Sequence, residues 1–172
     1  MQLKETSFNI NELLNKLSEQ YKENKEGVVF NVQFRMSSED ANIFADKEKI
    51  EQILHLLIDN AFKFTESGSV TCGCKLLDKK LVCYVSDTGI GIKPEFSNVI
   101  FNKFRKGEEF RSKIFRGTGI GLALASALID LMQGDIWFKS TSGEGSIFYF
   151  SIKYVPAKTL RNKVNSESEK VN

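Results

Sequence analysis

The chain has a single histidine, only three cysteines and no long apolar run, and each shortage closes off a class of function. No stretch approaches the roughly 20 apolar residues that a membrane-crossing helix needs. Residues 1–11 are polar, unlike a secretory leader, so the chain is expected to be cytoplasmic and to make no membrane contact of its own, whatever anchors a parent protein. Lys and Arg number 24 against 22 Asp and Glu, a net charge of +2 with no basic run, which gives no reason to expect nucleic acid as a partner. His55 has no second cluster of Cys or His around it in sequence, so a zinc site is not expected. Cys72, Cys74 and Cys83 are odd in number, and Cys72 and Cys74, two apart in a strand-like run, share a face. They are expected as buried thiols of a reducing compartment.

What is present suits one domain. The chain has 172 residues, 41% of them hydrophobic and 27% charged, enough to bury a core without metals or disulfides. Residues 9 to about 22 read as an amphipathic helix that Asn9 can cap, with Leu13, Leu14, Leu17 and Tyr21 on one side. Val28, Phe30, Val32 and Phe34 alternate as in a strand. From 46 to 64 the stripe of Ile50, Ile53, Leu54, Leu57, Ile58 and Ala61 predicts a long helix. Two strands follow around a tight turn at Asp78-Lys79-Lys80, and the second, 81–85, is apolar on both faces and so central. The segment from 87 to 121 is rich in glycine and charge, as functional lids are, and we expect it to be mobile. A helix from 118 to about 132, stopped by Gly134, and strands at 136–139 and 146–154 complete the set. Residues 157–172 have little to bury and read as a disordered tail or linker.

Three separated segments carry chemistry. Asn60 and Lys63 sit three apart at the end of the long helix and share a face; an amide oxygen can hold a hard cation and a lysine can neutralise phosphate. Alone, that pair equally describes a solvated helix face. Ser86-Asp87-Thr88-Gly89-Ile90-Gly91-Ile92 follows the central strand. Its acid can accept from an amine on a flat heterocycle, and its glycines let backbone come close to a ligand, though an Asp-x-Gly turn is a common way to end a strand. Arg116-Gly117-Thr118-Gly119-Ile120-Gly121-Leu122 opens the second helix, where free N–H groups make an anion site and glycines let a phosphate reach them. Other nucleotide signatures are missing. Gly117-x-Gly119-x-x-Leu122 lacks the third glycine of the dinucleotide fingerprint, and neither a Walker-type loop nor the protein-kinase set is present.

Together and in this order, the segments resemble the catalytic domain of sensor histidine kinases, within the wider group of gyrase, chaperone and mismatch-repair ATPases. Asn60-Ala61-Phe62-Lys63-Phe64-Thr65 is similar to the family's N box, Asp87-Thr88-Gly89-Ile90-Gly91 to its first glycine box, Ile100-Phe101-Asn102-Lys103-Phe104 to its F box and Gly117 to Leu122 to its second glycine box. Gly143-Glu144-Gly145-Ser146-x-Phe148 resembles its closing strand motif. The resemblance runs from about Thr6 to Tyr154. It implies an α+β fold, a two-layer α/β sandwich whose mixed, mostly antiparallel sheet packs against helices. It implies a catalytic domain over 1–156, with 1–8 the remnant of a linker from a missing dimerisation domain. ATP with Mg2+ is implied as the ligand, and a protein-histidine kinase as the activity. Asp87 would accept from the adenine amino group, Asn60 would ligate magnesium, Lys63 would touch phosphate and Phe64 would flank the nucleotide. Gly89, Gly91, Ile92 and Ser146 would line the site. Amides around Gly117, Thr118, Gly119, Ile120, Gly121 and Leu122 would hold phosphates. Arg105 or Lys106 would swing onto the γ-phosphate from the lid, a lysine supplying charge without a bidentate fork.

Two departures qualify the resemblance. Leu56 lies one turn before Asn60 on the same face, where the family often has a polar residue and the related ATPases a glutamate; a leucine can neither take a proton nor hold magnesium. His55 is about 140° round the helix from Asn60 and does not supply the group that Leu56 lacks; it reads as a structural or surface histidine, most simply paired with Asp59, four residues on. The phosphate-accepting histidine is therefore expected on a helical dimerisation domain outside this chain, with a response regulator receiver downstream, and the fragment is expected to be monomeric and not to phosphorylate itself. Leu56 keeps open a nucleotide-binding regulatory module without transfer; an anti-sigma-type serine kinase of the same fold is the other alternative.

Overall fold

The computed structural model describes residues 2–97, 100 and 119–158. Ten regular elements are described: β1 (Thr6–Asn9), α1 (Ile10–Tyr21), β2 (Val28–Phe34), β3 (Asn42–Ala45), α2 (Lys47–Phe64), β4 (Gly68–Leu77), β5 (Lys80–Asp87), α3 (Gly119–Leu131), β6 (Asp135–Thr141) and β7 (Gly145–Lys153). Five strands form one sheet in the order β2-β4-β5-β7-β6; β2 runs parallel to β4 and the other pairs are antiparallel. The three helices cover one face, and the core lies between: Ile10, Leu13, Leu14 and Leu17 from α1, the α2 stripe, and Val70, Cys72, Cys83, Phe148 and Phe150 from the sheet. This is the expected two-layer sandwich.

Local chemistry sets the helix ends. The Asn9 side chain accepts from the backbone N–H groups of Asn11 (2.9 Å) and Glu12 (3.2 Å), the predicted cap of α1. Asp46 caps α2 by accepting from Lys49 N–H at 3.0 Å, and its other oxygen accepts from Lys4 N–H at 2.7 Å. At the far end of α2 the Lys25 ammonium donates to the carbonyls of Phe62 (3.1 Å) and Thr65 (2.6 Å), a cation on the negative end of the helix.

The sequence gives no periodic signal for β1 and β3, which are four residues each and pair with one another. The segment after β7 joins them: Phe44 N–H donates to the Val155 carbonyl, and Ala157 N–H to that of Asn42. The hairpin turn is Asp78-Lys79, with φ of 49° and 59°, the left-handed pair that a two-residue turn of matching twist needs. That turn places Cys74 directly opposite Cys83, and the two form a disulfide, correcting the expectation of three thiols. Only Cys72 stays a free thiol, pushed up to about 12 by burial.

Candidate functional site

A cavity of about 310 Å³ opens where the C-terminal end of α2, the end of β5, the first turn of α3 and the β6–β7 turn converge. It is lined by Asn60, Phe64, Asp87, Ile90, Gly91, Ile92, Lys93, Phe96, Ile100, Leu122, Ser142, Ser146 and Phe148.

Each wall follows from local structure. Asp87 ends β5 and is 8% exposed; one oxygen accepts from Gly89 N–H at 2.9 Å. Burial raises its carboxyl above the ordinary carboxylate range, and the N–H groups of Gly89 and Ser146 pull the other way. The chain leaving β5 must pass tightly over α2. A Cβ at Gly89 would lie 2.2 Å from the Phe64 carbonyl oxygen, and Ile90 N–H donates to that same carbonyl at 3.1 Å. Gly91 has φ of 65°, and a Cβ there would lie 2.1 Å from the Thr141 carbonyl oxygen, so no larger residue fits. Hydroxyls lace the loop to the β6–β7 turn: Ile92 N–H donates to Ser140 Oγ (2.8 Å), which also meets Ser146 Oγ (2.9 Å). Opposite, α3 begins at Gly119, and the first turn of this 13-residue helix brings Leu122 to the cavity. The unpaired N–H groups of such a turn are donors for an anion.

Of the sequence-predicted residues, Asn60, Phe64, Asp87, Gly91, Ile92, Leu122 and Ser146 line one cavity, and Gly89 shapes its loop from behind. Lys63 is exposed and does not line it; its ammonium sits 5.9 Å over the Phe64 ring, beside the mouth. Gly121 packs outside the lining, where a Cβ would come within 3.8 Å of Leu56 Cδ2. Gly119 and Ile120 belong to the first turn of α3, whereas Arg105, Lys106, Gly117, Thr118 and most of the expected lid lie outside the described residues. Sequence reasoning did not assign Ile90, Lys93, Phe96, Ile100, Ser142 and Phe148 to the site. Ile100 and Phe148 stand inside quoted motifs and were findable there, whereas nothing local marks Phe96 or Lys93.

The departures also resolve. Leu56 is half-buried against the core and faces the start of α3, so it fills the helix–helix interface beside Asn60. His55 does not pair directly with Asp59. The Tyr21 hydroxyl stands between them, donating to Asp59 Oδ1 at 2.7 Å, which leaves its oxygen to accept from His55 Nδ1–H at 2.7 Å. Glu51 approaches Nε2 at 3.7 Å. Burial, and then the Asp59 carboxylate, raise the Tyr21 hydroxyl well above its ordinary value. This chain of groups ties α1 to α2 and takes no part in lining the cavity. Among the described residues no cluster of three His, Cys, Asp or Glu could hold a metal.

Residues 45–156 match the family of histidine kinase-, DNA gyrase B-, and HSP90-like ATPases. The sensor histidine kinase WalK of Bacillus subtilis (strain 168) is 33% identical over 128 residues, 72% of this chain and 21% of its own length. The peroxide stress-activated histidine kinase mak2 of Schizosaccharomyces pombe (strain 972 / ATCC 24843) is 32% identical over 139 residues, 76% of this chain and 6% of its own. The chain thus spans a small part of these relatives. Among solved structures, full-length ShkA in complex with AMPPNP is 27% identical with a TM-score of 0.76, over 91% of this chain and 32% of that one. The nucleotide-free catalytic domain of histidine kinase ThkA is 26% identical with a TM-score of 0.72, over 89% of this chain and 99% of that one. The sandwich, the convergent cavity and these likenesses bear out the resemblance read from the motifs, and the chain belongs to the histidine kinase-, DNA gyrase B-, and HSP90-like ATPase family.

Proposed function

We propose that this chain is the ATP-binding catalytic domain of a two-component sensor histidine kinase, presenting the γ-phosphate of Mg-ATP to a histidine on a helical dimerisation domain outside it, with a response regulator receiver downstream. The observation that carries the reading is Asp87. A carboxylate has about four acceptor sites, and two backbone N–H groups bear on this one, so acceptor capacity remains for an amine in the cavity. A buried acid with unused acceptors is costly unless a ligand answers it.

The other walls fit the rest of a nucleotide. Phe64, Ile92 and Phe148 give apolar surface for a flat ring. The first turn of α3 offers N–H groups to phosphates, and Lys93 adds a cation at the rim. The Asn60 side chain has no hydrogen-bond partner among the described residues, which leaves its amide oxygen for a cation. One neutral amide is a sparse donor set, which suits magnesium, an ion that keeps several waters and takes the rest of its ligands from phosphate. When bound, Mg-ATP supplies the phosphoryl group; the chain's own residues bind, orient and neutralise charge, which is the bulk of what a protein does in this reaction. Lys63, Arg105 and Lys106 are assigned to the phosphates. Leu56 beside Asn60 brings no base, so the accepting histidine must be activated from the partner domain.

The test is calorimetric titration with magnesium and a non-hydrolysable ATP analogue, followed by transfer from labelled ATP to the parent's helical domain. Analogue binding that Asp87→Asn weakens, and an acid-labile, alkali-stable label on the acceptor, are expected. Binding without any label on the acceptor would sink the kinase reading, and an acid-stable label would identify a serine kinase instead.

A further inference from the structure

The face of the sheet turned away from the helices has its own character. By ladder register it carries Thr71 and Lys75 of β4, Tyr84 and Ser86 of β5, Ile147 and Tyr149 of β7 and Trp137 of β6, with Gln33 and Arg35 at the β2 edge. A cup of about 300 Å³ opens on it between Arg35, Lys75, Tyr84 and Tyr149. Its floor is built. Tyr84 is 9% exposed and lies across Gly73, where a Cβ would come within 2.5 Å of its hydroxyl oxygen. Gln33 Oε1 accepts from both the Tyr84 hydroxyl (2.5 Å) and Arg35 Nε (2.9 Å), which holds the guanidinium 6.0 Å over the Tyr84 ring.

We infer that this open face is a docking surface for an acidic segment of a partner protein, its carboxylates seated on Arg35 and Lys75 and its apolar side chains on the aromatic row. The sign of charge selects the partner. Arg35, Lys75, Lys80, Lys139 and Lys153 stand on this face, and the acid that accompanies them, Asp135, is already paired with Lys80 at 2.9 Å. Among the described residues neither Arg35 nor Lys75 has an ion-pair partner. Tyr84, Tyr149 and Trp137 continue across three adjacent strands, with ring centroids 6.2 and 5.3 Å apart, a row longer than a small anion needs. Tyrosine, tryptophan and arginine are the side chains that anchor protein interfaces.

Single-stranded nucleic acid, the other ligand that basic and aromatic sheet faces take, fits less well. Trp137 and Tyr149 are within 7° of parallel at 5.3 Å. Coplanar rings would overlap at that separation, so the two lie face to face and offset. Their faces are partly spent on each other, whereas a nucleic-acid platform offers free faces to successive bases.

Trp137 is the chain's one tryptophan, so its emission reports on the face. The experiment titrates the full chain with a tryptophan-free peptide alternating glutamate and leucine, a lysine–leucine peptide of the same length and an oligothymidine, with calorimetry in parallel. The acidic peptide is expected to bind, more weakly as salt screens the charges. In the Arg35→Gln, Lys75→Gln double variant its affinity should fall about tenfold or more, with affinity for the ATP analogue unchanged, which also checks the fold. Lys139→Glu, an exposed position outside the cup, should weaken it by a smaller factor. Absence of binding by the native chain, equal binding by the double variant and Lys139→Glu, or tighter binding of oligothymidine would each overturn the proposal.

Discussion

Strand β5 begins and ends under opposite rules. At its start Leu81 and Cys83 are fully buried, Cys83 is bonded to Cys74, and a two-residue turn closes the hairpin. There apolar burial, ladder and covalent link act in the same direction. At its end the same strand buries Asp87 and runs into a loop that crosses the Phe64 and Thr141 carbonyls at distances only glycine permits. A carboxyl raised by burial costs stability locally, and the left-handed backbone at Gly91 restricts that position to glycine. The first end shows what the sheet does for folding, and the second what it tolerates for a ligand.

Substitutions break or sharpen that contrast. The largest effect is expected from Phe150→Ala. Phe150 is fully buried and pairs with Cys83 at the folding end, so about 3–5 kcal/mol should be lost in urea unfolding, with analogue affinity of the folded protein little changed. A large loss of affinity would mean that the two ends are not separable. Reducing the Cys74–Cys83 bond opens a loop spanning a sequence separation of 9, for which loop entropy gives about 2–3 kcal/mol, readable as a lower urea midpoint with reductant. At the ligand end, Gly91→Ala should cost about 1–3 kcal/mol from the left-handed backbone alone and should also abolish analogue binding, because the new Cβ pushes on Thr141. Intact binding would show that the loop has slack.

The smallest stability effect, and the sharpest test, is Asp87→Asn. Burial raises the folded-state value of Asp87, so the native state holds its proton more tightly than the unfolded chain does. The resulting stability is fully present below the ordinary carboxylate value and is lost as pH rises through the raised one. Across that window the native protein should lose stability relative to Asp87→Asn, so at neutral pH the variant is at least as stable while its analogue affinity falls by about tenfold or more. A variant that is less stable at neutral pH would make Asp87 a folding residue. Paired urea titrations at acid and neutral pH decide it.

The parts legible in the sequence were those whose signal is local. The α2 stripe, the Asn9 cap and the glycines after Asp87 are read within a few residues, and Asn60, Asp87 and Ser146 duly meet in one cavity. Register carried what was missed. The Cys74–Cys83 pairing follows only once Asp78 and Lys79 are fixed as the two central turn residues; the turn read from the sequence also took in Lys80, which pairs with Leu77 in the ladder, and that one extra residue shifts the register. Strands β1 and β3 are too short for any period to show and exist because they pair with each other and with the segment after β7. Tyr21 came between His55 and Asp59 because the α1–α2 packing, invisible to spacing along α2, brings its hydroxyl there.

The Lys4–Asp46 hydrogen bond gives α2 a mechanical aspect. Asp46 holds the segment leading into β1 with one oxygen and the first turn of α2 with the other. The 18-residue helix behind it is about 27 Å of stiff rod and delivers Asn60 and Phe64 to the cavity at its far end. The segment ahead of Thr6 and the rod that carries Asn60 and Phe64 thus share one anchor, the Asp46 carboxylate. The segment after β7 pairs with the other edge of β3, so the two ends of the described chain meet on this small pair of strands.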